Sequence, residues 1–92
     1  MDIDKMEILN KICYTDLVYE RINRKLNTKY SKPEIEKIIY KIINETENKY
    51  FERIGKNIYA LNYYSNIKIT INSNTYRIIT VDRIKNSTRR TQ

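Results

Sequence analysis

The chain has 92 residues, 40% of them hydrophobic and 32% charged, with one Gly, one Pro and one Cys. That length is one domain's worth of core, and that composition excludes disorder throughout and any Gly- or Pro-driven fibrous class. The formal charge is +7 and histidine is absent, which removes Ser-His-Asp and Cys-His catalysis and His-ligated metal, while one cysteine makes neither an internal disulfide nor a multi-Cys zinc site.

In chain order, the first half reads as three helices. Met6, Leu9, Ile12 and Cys13 recur at helical spacing behind Asp2 or Asp4, either of which can cap an N-terminus. Cys13 falls on the apolar side of that helix, beside Leu9, and is read as a buried structural thiol. A second helix is expected over 16–26 with Thr15 as N-cap. Val18, Tyr19, Ile22 and Leu26 line one side of it; Glu20, Arg21 and Arg24 face away. After a short polar connection, Ser31-Lys32-Pro33-Glu34 fits a capping box, with Pro tolerated where first-turn N–H groups lack intrahelical partners. Ile35, Ile38, Ile39, Ile42 and Ile43 form the apolar stripe of this third helix, with Lys37, Tyr40, Lys41 and Asn44 opposite.

The period then changes from helical to two. Residues 50–54 and 58–61 flank Gly55-Lys56-Asn57, a hairpin whose turn residues tolerate positive φ. A second hairpin turns at Asn72-Ser73-Asn74-Thr75. Pairing Ile71 with Tyr76 sets Ile69 opposite Ile78 and Ile67 opposite Thr80, leaving Lys68, Thr70, Arg77, Ile79 and Val81 on the other face. The expected core joins Ile22, Leu26, Ile35, Ile38, Ile39, Ile42, Ile54, Ile69, Ile71 and Ile78. Asp82-Arg83, just after a strand, reads as a salt bridge or turn lock. The fold expected is α+β: three N-terminal helices followed by two antiparallel β-hairpins, as one domain over 1–84 with a disordered basic tail over 85–92.

No run approaches the about 18 apolar residues of a membrane span. Residues 1–5 lack the basic-then-apolar pattern of a secretory signal, so a cytoplasmic protein is expected. No metal, cofactor or catalytic residue is expected either, and the chain does not read as an enzyme. Seventeen Ile against four Leu, with eleven Asn, reads as AT-rich coding of bacterial or phage type.

Charge is distributed unevenly. Residues 1–50 hold ten Lys/Arg against nine Asp/Glu, whereas residues 51–92 hold eight against two. A polarised basic domain points to a polyanionic partner.

The order helix, helix, short turn, capped helix, basic-tipped hairpin resembles a winged helix-turn-helix over residues 15–62. Tyr50-Phe51-Glu52-Arg53-Ile54-Gly55-Lys56-Asn57-Ile58-Tyr59-Ala60-Leu61 is similar to the wing of many bacterial winged-helix regulators. That resemblance implies duplex DNA as partner, with Lys37, Tyr40, Lys41 and Asn44 facing bases or backbone. Arg21 and Arg24 would approach phosphate, and Arg53 and Lys56 would grip it from the wing. Glu34 and Glu36, at the front of the third helix, oppose it.

The whole chain also resembles a small uncharacterised family of low-GC Gram-positive bacteria. It does so through Cys13-Tyr14-Thr15-Asp16-Leu17-Val18-Tyr19-Glu20-Arg21-Ile22 and through residues 69–83, from Ile69-Thr70-Ile71 to Val81-Asp82-Arg83. The function expected is a small, basic, regulatory nucleic-acid-binding protein. The first alternative is a phage or mobile-element protein that inhibits a host defence nuclease, anti-CRISPR-like, by binding a nucleic-acid-handling protein. The second is an RNA-cleaving toxin, although such toxins usually open on a strand. A homodimer is compatible with each reading.

Overall fold

Asp4 starts the first helix. Its carboxylate accepts from the Met6 and Glu7 N–H groups at 3.0 and 3.3 Å, satisfying first-turn donors that have no partner in the helix. The computed structural model describes residues 3–84, so Asp2 and the expected tail over 85–92 lie outside the described residues. Three helices, α1 (Lys5–Lys11), α2 (Asp16–Leu26) and α3 (Lys32–Glu45), are followed by a short 3-10 turn (Asn48–Tyr50). Strands β1 (Phe51–Ile54), β2 (Asn57–Asn62), β3 (Ile67–Asn72) and β4 (Ile78–Arg83) complete an α+β fold. Both hairpins join in one antiparallel sheet of order β1-β2-β3-β4.

Local chemistry fixes the helix ends. Asn27 closes α2 in the left-handed region, φ 59°, with its N–H on the Arg24 carbonyl and the Thr28 N–H on that of Asn23. Asn23 also binds Tyr30 through both ends of its amide, which shapes the turn into α3. There the capping box closes as its sequence requires: Ser31 Oγ accepts from the Glu34 N–H, and Glu34 Oε1 accepts from the Ser31 N–H at 2.7 Å.

The helices cover one face of the sheet. Strand alternation and register set Phe51, Ala60, Ile69 and Val81 in one row and Ile58, Ile71 and Ile78 in the next, all buried. Ile22, Leu26, Ile35, Ile39, Ile42 and Ile43 close the core from above. On the opposite face run Glu52–Tyr59–Thr70–Thr80 and Leu61–Lys68–Asp82. Two buried polar side chains tie α3 to β2. Asn62 Nδ2 donates to the Ile42 carbonyl and to Thr46 Oγ1, each at 3.1 Å, and Thr46 Oγ1 donates to the same carbonyl at 2.7 Å. Across the sheet, the Arg21 guanidinium donates to the Ile79 carbonyl, Lys25 pairs with Asp82 at 2.7 Å, and Arg83 donates to the Leu26 carbonyl. Asp82 thus forms a salt bridge, with Lys25, and together with Arg83 it ties α2 to the β4 edge.

Four sequence expectations are corrected. Ile8 is buried in place of Met6, which is 58% exposed, because the helix presents Ile8 and Leu9 to the core. Cys13 is exposed, not buried. α1 ends before it, and its backbone instead pairs in parallel with Arg77, through Cys13 N–H to Tyr76 O and Ile78 N–H to Cys13 O. Ile54 is 61% exposed and Ile38 only half-buried, since Ile54 points to the uncovered face next to the Gly55-Lys56 turn. That turn has two residues, not three: Asn57 already pairs with Ile54, and Gly55 supplies the positive φ of 60°.

The register of the second hairpin is also corrected. Ile71 pairs with Ile78, Ile69 with Val81 and Ile67 with Arg83, with a bulge at Thr70/Ile71. Asn72 Oδ1 accepts from the Asn74 and Thr75 N–H groups, and Tyr76 enters the left-handed region at φ 60°. The turn therefore consumes more chain than a tight hairpin, and the bulge brings Val81 into the core.

Truncation separates the two environments. Ile39→Ala, at a side chain 1% exposed, should cost about 2–5 kcal/mol of unfolding free energy in a denaturant titration. Ile54→Ala should cost no more than about 0.5 kcal/mol, the range of surface substitutions. Equal losses would contradict this placement.

Candidate nucleic-acid interface

Burial of Ile35, Ile39, Ile42 and Ile43 forces the other side of α3 outward, so Lys37, Tyr40, Lys41 and Asn44 are all exposed along one stripe. The two carboxylates that oppose this surface are both engaged. Glu34 closes the capping box, and its hydrogen bonds to the Ser31 backbone and side chain hold its carboxyl below the usual range. Glu36 accepts the Tyr19 hydroxyl at 2.6 Å, which draws it toward α2.

The remaining expected residues divide between two places. Arg21 and Arg24 are exposed on α2, and the Arg21 contact to Ile79 puts it beside β4. Arg53 and Lys56 belong to β1 and its turn, at the other edge of the sheet. Three strand spacings separate these edges by about 14 Å. Arg53 lies on the helix-covered side, around a shallow hollow lined also by Asp4, Glu7, Ile8 and Tyr76. An adjoining hollow shares Ile3 and Asp4 and is lined by Lys5 and Asn44. The start of α1 is therefore flanked by Asn44 on one side and Arg53 on the other. The structure thus places Asn44 and Arg53 on either side of the start of α1, with Lys37 and Lys41 on the same stripe as Asn44, and puts Arg21 beside β4.

None of the six expected cations, Arg21, Arg24, Lys37, Lys41, Arg53 and Lys56, is in an ion pair among the described residues. The pairs there are Lys11–Glu7, Lys25–Asp82, Lys32–Asp16 and Lys49–Glu47. Among the described residues no group of three or more His, Cys, Asp or Glu is arranged to hold a metal ion. No described helix is long and apolar enough to cross a membrane.

Sequence reasoning missed two features of this region. Lys5 donates from Nζ to the Asn44 carbonyl at 2.9 Å, adding a cation at the end of α3. A contact spanning 39 residues leaves no local signal. Beyond the N-terminal end of the stripe, Tyr14 and Tyr19 stack with centroids 5.4 Å apart, and Lys32 Nζ lies 5.2 Å from the Tyr19 ring. The Tyr14 phenol is pushed well above its ordinary range, first by burial and then by Glu36 and Tyr19. Of this cluster only Tyr19 carries a local sequence signal, as part of the apolar side of α2, and the partners Tyr14, Lys32 and Glu36 come from outside that helix.

Residues 6–82 match the model of DUF3781, described as a protein of unknown function, and the chain belongs to that family. No curated protein and no solved structure matches it.

The tyrosine cluster has a measurable signature. Burial, followed by the hydrogen bond to Glu36, pushes the Tyr19 phenol up from 10.0 to about 12. The raised value favours the neutral phenol in the folded state. That contribution to stability is complete below pH about 10 and is lost as pH rises through about 12. Glu36→Gln should lower the Tyr19 midpoint, read from its ring resonances in a pH titration; an unchanged midpoint would show that Glu36 does not engage Tyr19.

Proposed function

We propose that the protein is a small nucleic-acid-binding regulator that grips duplex DNA with the exposed stripe of α3. Lys37 and Lys41 would contact phosphate, Tyr40 and Asn44 would approach base edges, and Arg53 would add a phosphate contact from β1. Lys56 at the turn and Arg21 and Arg24 on α2 would extend the contact, in the manner of a winged helix. The observation that carries this reading is the availability of charge. Lys37 and Lys41 stand exposed without a carboxylate partner among the described residues, while Glu34 and Glu36 are held by Ser31 and Tyr19. An α-helix of about 10–12 Å diameter fits the major groove of B-DNA, and free cations along it replace condensed counterions.

The test is charge reversal. Lys37→Glu combined with Lys41→Glu should lower duplex affinity at low salt by about tenfold or more and reduce the salt slope by about two, one for each lost phosphate contact. Asn44→Ala should change sequence preference by about 1–3 kcal/mol if its amide makes a bidentate base contact. Unchanged affinity and slope in the double variant would remove α3 from the interface. No duplex binding even at low salt would remove the whole reading and leave an acidic protein surface as the partner for the stripe.

A further inference from the structure

The β4 edge, where the uncovered face of the sheet meets the end of α2, carries a second basic surface, built from residues that the α3 stripe does not use. A hollow beside the β4 edge is lined by Lys25, Leu61, Lys68, Asp82, Arg83 and Ile84. Three cations stand there against one carboxylate, and that carboxylate is already taken by Lys25 at 2.7 Å. Arg83 spends one N–H on the Leu26 carbonyl, which among the described residues leaves most of its five donors unspent. Lys68 has no ion pair among the described residues; its Nζ lies 5.5 Å from the centroid of the Tyr59 ring on the same face.

A loop that carries exposed aromatic side chains is tied to one wall of this hollow. The loop from β2 to β3 carries Tyr63 and Tyr64, 48% and 96% exposed. The loop is pinned at both ends, since the Ser65 N–H donates to Asn62 Oδ1 at 2.8 Å and the Ile84 N–H donates to the Asn66 carbonyl at 3.0 Å. The second contact ties the loop to Ile84, a wall of the hollow. Tyr63 rests edge-on against Tyr50, centroids 4.9 Å apart, whereas Tyr64 offers its ring to solvent. Leaving a whole phenol ring in water forgoes the burial that aromatic residues ordinarily gain.

We infer that this edge of the sheet binds single-stranded nucleic acid, with phosphate over Lys68, Lys25 and Arg83 and an unpaired base stacked on Tyr64. Cations beside exposed aromatic rings are the two elements such binding needs: charge follows the backbone, and a ring accepts the π-face of any base. Duplex DNA does not satisfy the second element, because its base faces are already stacked on one another. Asp82 has a place in this arrangement. It holds Lys25 at the β4 edge in the free protein, and an incoming phosphate would compete for the same ammonium.

The experiment is fluorescence anisotropy of labelled oligothymidylate and, separately, of a labelled duplex, at low salt, with the full chain. The native protein should bind the single strand. Tyr64→Ala should weaken that binding about fivefold or more, the lower end of one lost stack. Lys68→Glu should weaken it and lower its salt slope by about one, with Lys68→Arg restoring the slope, while Asp82→Asn should tighten it. Both residues are at the surface, so folded variants are expected, and far-UV circular dichroism checks this. The duplex reading fails or stands on Lys37 and Lys41, so the two are separable: Tyr64→Ala and Lys68→Glu should leave duplex affinity unchanged. Absence of single-strand binding would overturn the inference. So would binding that survives both Tyr64→Ala and Lys68→Glu, or binding lost only with the Lys37 and Lys41 reversals.

Discussion

Asn62 makes the contact on which both candidate surfaces depend. Its amide reaches from the last residue of β2 to the Ile42 carbonyl and the Thr46 hydroxyl, where the final turn of α3 meets the sheet. Its carbonyl oxygen accepts the Ser65 N–H and so starts the loop that presents Tyr63 and Tyr64. Asn62 and Thr46 are only 3% and 1% exposed. An unpaired polar group at that depth costs about 1–3 kcal/mol, so the arrangement is favourable only when every partner is in place. One side chain thereby ties the last turn of α3 to the start of the loop.

One-sided coverage of the sheet follows from the strand pattern. Phe51, Ile58, Ala60, Ile67, Ile69, Ile71, Ile78 and Val81 give the sheet an apolar face for α1, α2 and α3 to cover. The other face mixes Thr70, Thr80, Asn57 and Lys68 with Tyr59 and Leu61, a composition that water tolerates. The edges are also managed. At β4, Lys25, Arg21 and Arg83 link the strand to α2. At β1, continuing the sheet symmetrically with a second copy would set Arg53 against Arg53 or Glu52 against Glu52, since residues directly opposite share a face. Like charges in those positions oppose edge-to-edge pairing.

The helical half was legible because its signals are local. Ser31 and Glu34 lie three residues apart, Asn27 follows the last apolar residue of α2, and the isoleucine stripe of α3 repeats within four turns. The exposure of Lys37, Tyr40, Lys41 and Asn44 follows from that stripe alone. What remained hidden depends on contacts between distant residues. The Cys13–Arg77 bridge, the bulge at Thr70/Ile71 and the long turn governed by Asn72 together moved the register and placed Val81 inside. The winged-helix resemblance also gives Arg21 and Arg53 a common partner, whereas the sheet order divides them between two edges. The hydrogen bonds that engage Glu34 and Glu36 differ in the same way. Ser31 reveals the first, whereas Tyr19, seventeen residues away, does not reveal the second.

The central claim, that the α3 stripe is the duplex-binding surface, is tested most directly by mapping contacts on the unaltered protein. Backbone amide resonances followed during titration with a short DNA duplex should shift most at Lys37, Tyr40, Lys41 and Asn44, with Arg53 next. Shifts concentrated on the uncovered sheet face, or at the Tyr14–Tyr19 stack with α3 unmoved, would contradict it.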